Sequence, residues 1–89
     1  MSAYVRKNNS IIKAAQLLEI LEKAEEPMNL IAICEEIQMP RSTVHGLLNT
    51  MREIGIICQK DDTGKYWLGD RLTALGLAAE KYKQKEQTN

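Results

Sequence analysis

Within one short stretch the chain places Arg41, Ser42, Thr43, His45, Asn49 and Arg52, and Lys60 and Lys65 follow soon after. These side chains offer guanidinium, ammonium, hydroxyl, imidazole and amide groups. Such groups hold anions and discriminate hydrogen-bonding edges. They do not make a catalytic set: His45 is the sole histidine, no nucleophile stands with a base, and there is neither a glycine-rich phosphate loop nor a pair of carboxylates facing a pocket. Cys34 and Cys58 lie far apart, without the neighbouring His or Cys that a zinc site needs, and read as small buried hydrophobes. No enzyme activity, metal or cofactor is expected, and the chemistry is non-covalent recognition.

The elements that position these groups follow from apolar spacing. Val44, Leu47, Leu48, Met51 and Ile54 recur at helical intervals, while Ser42, His45, Gly46, Asn49, Arg52 and Glu53 fall on the opposite side, with Arg41 near the start. A helix over residues 41–54 therefore packs on one side and presents a polar face on the other. Ile33 and Ile37 belong to a shorter helix before it, and Gln38, Met39 and Pro40 break the pattern between the two. Two helices joined by a tight turn, the second with an exposed polar face, form the helix-turn-helix arrangement, whose second helix fits the B-DNA major groove. On this reading duplex DNA is the partner. Ser42, Thr43 and the first-turn amides would hold phosphate, Ser42 and Thr43 having helix capping as their simpler role. Arg41, His45 and Asn49 would reach base edges, Arg52, Lys60 and Lys65 would touch the DNA backbone, and Gly46 would allow close approach of the helix.

Upstream, Ser10 is the expected N-cap of a helix from Ile11 to about Glu25, closed by Pro27. Ala14, Leu18 and Leu21 make its core stripe, Leu17 lies at the margin, and Ile12 and Ile20 fall outside it. These two are either scattered surface aliphatics or a contact with a second copy of the chain. Met28, Asn29 and Leu30 read as an extended piece with Asn29 capping the next helix, Pro40 fits the first turn of the helix after that, and Gly55 fits a left-handed helix end. Two β-rich runs, residues 56–60 and 65–69, flank the turn Asp61, Asp62, Thr63, Gly64, which is a hairpin signature. Alternation sends Tyr66 and Leu68 to the core and Trp67 outward, against the last helix or a partner subunit. A final helix begins near Asp70 and carries Leu72, Leu75, Ala79 and Tyr82 on one line before a polar tail with Lys81, Lys83 and Lys85 that reads as a fraying end or the start of a linker. The expected fold is mostly α with a β-hairpin wing: a winged helix-turn-helix with a three-helix core and a C-terminal linking helix.

A chain of 89 residues makes one core and leaves no room for a separate ligand-binding or catalytic lobe. The expected division is a basic, flexible arm over residues 1–9 with Arg6 and Lys7, a winged domain over 10–69 with its wing at 56–69, and a linking helix over 70–89. No apolar run is long enough to cross a bilayer and the polar N-terminus is no secretory signal, so a cytoplasmic protein without a membrane partner is expected. Formal net charge is zero, which counts against a nucleic-acid partner, but the acid is confined: residues 19–36 carry −5 and residues 1–18 carry +3. A winged helix that binds protein instead of DNA is the alternative, and it would account for neutrality, Gly46 and Trp67 together. Ile12, Ile20, Trp67, Leu75 and Tyr82 exceed what one small core covers, which points to a homodimer interface.

Two motifs carry a family resemblance. Pro40, Arg41, Ser42, Thr43, Val44 and His45 with Leu47 and Leu48 form one; Gly64, Lys65 and Tyr66, then Leu68 and Gly69, Arg71 and Leu72, and Leu75 and Gly76 form the other. With this spacing the chain from Ser10 to Gly76 resembles the N-terminal DNA-binding domain of IclR-type bacterial transcription regulators. The resemblance implies a winged domain joined by a linking helix to a larger effector domain, absent here, and binding of palindromic operators as dimers or tetramers. Any small-molecule effector would belong to that separate domain. Three positions depart from the family pattern: Gly46 stands where Arg is common, Ile31 where a capping Ser or Thr is usual, and Trp67 where a basic or polar residue is usual.

Overall fold

The computed structural model describes residues 7–87. Most of the expected arm, Arg6 included, lies outside the described residues. The element order is α1 (Asn9–Ala24), α2 (Leu30–Ile37), α3 (Arg41–Glu53), β1 (Ile57–Gln59), β2 (Tyr66–Leu68) and α4 (Asp70–Gln87).

The cap of α1 is Asn8, not Ser10. The Ser10 and Ile11 amides donate to Asn8 Oδ1 at 3.1 and 3.3 Å, which draws Ser10 into the first turn. Helix α1 ends ahead of Pro27, at Glu25, which takes a left-handed conformation (φ 61°) and donates its N–H to the Leu21 carbonyl. Gln38 (φ 56°) closes α2 in the same way through the Cys34 carbonyl. Asn29 caps α2 as expected, accepting from the Ala32 amide at 2.8 Å. Pro40 stands just outside α3 as its N-cap residue, extended at ψ 142°, instead of inside the first turn. Gly55 (φ 84°) turns the chain out of α3, and its N–H donates to the Arg52 carbonyl.

The core is Leu17, Leu21, Ile33, Val44, Leu48, Met51, Ile57 and Tyr66, drawn from every element except α4. Leu17, expected at the margin, is fully buried, while Ala14 and Leu18 are half-buried beside it. Helix α1 packs against α2, α3 and β2 together, so its buried face turns toward Leu17. Ile54 leaves the stripe: it is the C-cap of α3, outside the helix, and is 52% exposed.

The hairpin pairs Ile57 with Leu68, Cys58 with Trp67 and Gln59 with Tyr66, and Gly64 (φ 72°) closes the turn after Asp61, Asp62 and Thr63. A reciprocal pair of hydrogen bonds between Met28 and Tyr66, at 3.0 and 2.8 Å, ties it to the α1–α2 connection. Gly69 lets the wing return to the domain. A Cβ there would sit 2.3 Å from the Gly55 carbonyl oxygen, so only glycine fits without backbone movement. Helix α4 buries no residue and stays helical through Gln87, so Lys81, Lys83 and Lys85 lie on a helix and not on a frayed tail. Its 18 residues reach about 27 Å at 1.5 Å per residue.

Candidate nucleic-acid interface

Burial of Val44, Leu48 and Met51 fixes the roll of α3 and turns the opposite face outward. On that face Ser42, His45 and Gly46 are exposed, Asn49 is half-buried and Glu53 closes the row. None of them is apolar. Arg41, Ser42 and His45 line a shallow depression with Leu30 where α2 and α3 begin. No side chain caps α3, so Ser42 and Thr43 do not perform the capping role. The first-turn amides of α3 stay open, and a helix start with open amides favours an anion. Thr43 is half-buried at the edge of the face.

Gly46 sits mid-helix with no atom within 4 Å of where a Cβ would be, so packing within the chain does not call for glycine. Helix propensity disfavours it by about 0.8–1.0 kcal/mol relative to alanine. Thr50 Oγ1 donates to the Gly46 carbonyl at 3.1 Å, leaving the Gly46 side of the helix bare.

The wing brings Lys60 and Lys65 together. Their backbones are joined by a 2.7 Å hydrogen bond from the Lys60 amide to the Lys65 carbonyl, in register with the strand pairs, and both side chains are exposed. Like charges directly opposite on a hairpin repel. The exposed Asp61 and Asp62 lie in the turn that joins them, so the wing tip carries two acids beside its two lysines.

Arg52 is placed differently from the other cations. It donates through Nη1 to Gln59 Oε1 on β1 and through Nη2 to Asn49 Oδ1 at 3.4 Å, while Gln59 Nε2 donates to the Gly64 carbonyl at 2.9 Å. Gln59 was not a sequence candidate. Its position opposite Tyr66 gave no signal, because the partner that uses it comes from α3.

The residues expected at a dimer contact divide. Leu75 and Tyr82 on α4 are 55% and 64% exposed, and Ile12 on α1 is 40% exposed. Ile11 and Leu77, which the periodicity did not single out, are exposed as well. Ile20 is half-buried. Trp67 is also half-buried and packs against the domain's own core, which corrects the expectation that it stands outside. Cys34 and Cys58 are free and half-buried, not fully buried as expected. Among the described residues no group of His, Cys, Asp and Glu could hold a metal ion, and no helix is long and apolar enough to cross a membrane.

A helix-turn-helix whose second helix turns a polar face clear of the core, with a hairpin wing beside it, defines the winged helix-turn-helix class of DNA-binding domains. Residues 10–61 match the family model for the IclR helix-turn-helix domain, and the chain belongs to that family. It is 34% identical over 71 residues to the glycerol operon regulatory protein of Streptomyces coelicolor, a match covering 80% of this chain and 28% of that protein. It is 31% identical over 67 residues to the transcriptional regulator XynR of Escherichia coli, covering 75% and 27%. Among solved structures, Pseudomonas aeruginosa HmgR superposes with a TM-score of 0.74 at 29% identity, covering 81% of this chain and 30% of that one. An IclR regulator from Alicyclobacillus acidocaldarius, at 24% identity, shares the fold with a TM-score of 0.79, covering 83% of this chain and 30% of its own. The chain thus spans less than a third of the curated relatives it matches.

Proposed function

We propose that this chain is the operator-binding part of a cytoplasmic, non-enzymatic IclR-family transcription regulator, with α3 entering the major groove and the wing resting on the DNA backbone or in the minor groove. The observation that carries this is the face of α3: Ser42, His45, Gly46 and Asn49 point away from a buried Val44, Leu48 and Met51, and the amides at its start are uncapped. Ser42, Thr43 and the first-turn amides hold phosphate at that start. Arg41, His45 and Asn49 reach base edges, Gly46 lets the helix sit deep, and Lys60 and Lys65 grip the backbone. The absence of any apolar side chain from this face speaks against the protein-binding alternative.

Helix α4, exposed from Thr73 onward, acts as the linking helix to an effector domain that would hold any small-molecule ligand. Ile12, Leu75 and Tyr82, with Ile20 and Trp67 at the margin, form the contact between two chains. A two-fold pair places two recognition helices in successive major grooves, about 34 Å apart, on a palindromic operator. The test is titration with a duplex selected from a random pool and with random duplex at several salt concentrations. Affinity should fall as salt rises. Asn49→Ala should reduce preference for the selected duplex by roughly 1–3 kcal/mol, and Lys65→Ala should weaken both duplexes equally. Salt-independent binding would refute the phosphate contacts, and equal losses in the two variants would remove Asn49 from base reading.

A further inference from the structure

The contacts of Arg52 run in a line from the recognition helix to the tip of the wing. Asn49 and Arg52 lie on adjacent turns of α3, Gln59 ends β1, and Gly64 closes the wing turn. One Arg52 nitrogen donates to Gln59 Oε1, the other to Asn49 Oδ1 at 3.4 Å, and Gln59 Nε2 passes the connection on to the Gly64 carbonyl at 2.9 Å. The strands of the wing are three residues each, and their base is fixed by the buried Ile57 and Tyr66 and the Met28–Tyr66 hydrogen bonds, so what Arg52 and Gln59 hold is the tip. Beyond Gln59 the hydrogen bonds at the tip, among the described residues, lie within the hairpin, such as those joining Lys60 to Lys65 and Gly64 to Lys60.

Guanidinium chemistry makes this line directional. Arginine has five N–H donors and no acceptor, so each amide side chain that meets it must turn its oxygen inward. Gln59 obeys this and spends its NH2 on Gly64. Asn49 turns its oxygen to Arg52 as well, which leaves its NH2 unpaired on the exposed face of α3. An asparagine that faces the groove with its donor end suits the adjacent acceptors O6 and N7 of guanine. The two-point contact with adenine N6 and N7 needs the oxygen facing outward.

We propose that Arg52 and Gln59 are positioning residues, not DNA contacts: together they lock the wing to the recognition helix and orient Asn49 to read an acceptor base. The proposal rests on the DNA-binding reading for its specificity half, while the lock is a property of the free chain. Two variants separate geometry from charge. Arg52→Lys keeps the positive charge but lacks the planar fork that spans two acceptors, and Gln59→Ala removes the middle of the line.

In the free protein, amide relaxation of residues 60–65 should show a looser wing tip in both variants, and an unchanged tip in both would overturn the lock whatever the DNA result. On a duplex selected from a random pool by the wild type, each variant should lose roughly two- to tenfold in affinity, the span of one net hydrogen bond. The double variant should lose no more than the weaker-binding single one, and the salt slope should stay at its wild-type value. Additive losses would overturn the shared line. Wild-type binding by Arg52→Lys, with a slope about one lower in Arg52→Ala, would instead make Arg52 a phosphate contact. At the base pair whose preference disappears in Asn49→Ala, the wild type should select G·C, whose guanine offers two acceptors, and Arg52→Leu should admit A·T. Wild-type selection of A·T there would overturn the orientation. Absence of salt-dependent DNA binding by the wild type would defeat the functional reading, and the relaxation data would still decide the lock.

Discussion

Replacing Gly46 by alanine separates what the fold wants from what the partner wants. The added Cβ meets nothing within 4 Å, and Gly46 is not among the residues with positive φ, so neither clash nor strain opposes the change. Only helix propensity acts, worth about 0.8–1.0 kcal/mol in favour of alanine. For a domain of this size that corresponds to a rise in melting temperature of roughly 4–8 °C, readable by circular dichroism at 222 nm. On DNA the same methyl lies between Ser42 and Asn49 on the outward face. If α3 sits against the groove floor at Gly46, the methyl acts as overpacking and weakens the selected duplex by about 1–3 kcal/mol. The variant should therefore melt higher and bind more weakly. A melting temperature that fails to rise would mean that this face is already covered. A higher melting temperature with unchanged affinity would mean that the helix does not approach DNA at residue 46.

Other substitutions check the scaffold and the assembly. Gly69→Ala drives a Cβ against three backbone atoms at 2.3–2.9 Å, so a loss of roughly 1–3 kcal/mol or more is expected in urea unfolding, and an unchanged midpoint would contradict the wing's close return. Asn8→Ala should cost about 1 kcal/mol while Ser10→Ala is nearly neutral, and the reverse order would restore Ser10 as the cap. Sedimentation at high protein concentration should show the wild type as a dimer and Ile12→Glu and Tyr82→Glu as monomers; variants that dimerise unchanged would rule this interface out.

What could be read from residues alone was whatever local chemistry decides. The α3 stripe apart from Ile54, the Asn29 cap, the left-handed Gly55 and the four-residue wing turn all follow from side-chain periodicity or from a residue suited to one backbone conformation. The ends of α1 near Glu25 and of α2 near Ile37 were legible, but the left-handed conformation of Glu25 and Gln38, neither of them glycine or asparagine, was not. Nothing in those side chains announces it. Leu17 and Trp67 were misplaced for a different reason: their burial depends on how α1 and the hairpin dock, which no single-element pattern encodes. At the candidate site, the reading face was legible from spacing, whereas the Arg52–Gln59 contact joins two elements and required the fold.

Net neutrality conceals an uneven distribution. All six acids of residues 19–36, Glu19, Glu22, Glu25, Glu26, Glu35 and Glu36, are exposed on α1, α2 and the bend between them, whereas α3 with the wing carries Arg41, Arg52, Lys60 and Lys65 against Glu53, Asp61 and Asp62, a small positive excess. With Arg52 engaged by Asn49 and Gln59, at most three cations remain for phosphate, Arg41 counted among them. Each phosphate neutralised on B-DNA contributes about −0.9 to the slope of log K against log salt, so one chain should show a slope of about −3 and a bound pair about −5. So shallow a dependence leaves a single domain with little affinity and makes pairing of chains the step that sets occupancy. Titrations across a tenfold salt range, at protein concentrations below and above the dimerisation midpoint, measure both slopes. A monomer slope much steeper than about −3 would show that cations outside α3 and the wing, Lys7 and Lys13 among them, reach the duplex and that the acid on α1 does not face away from it.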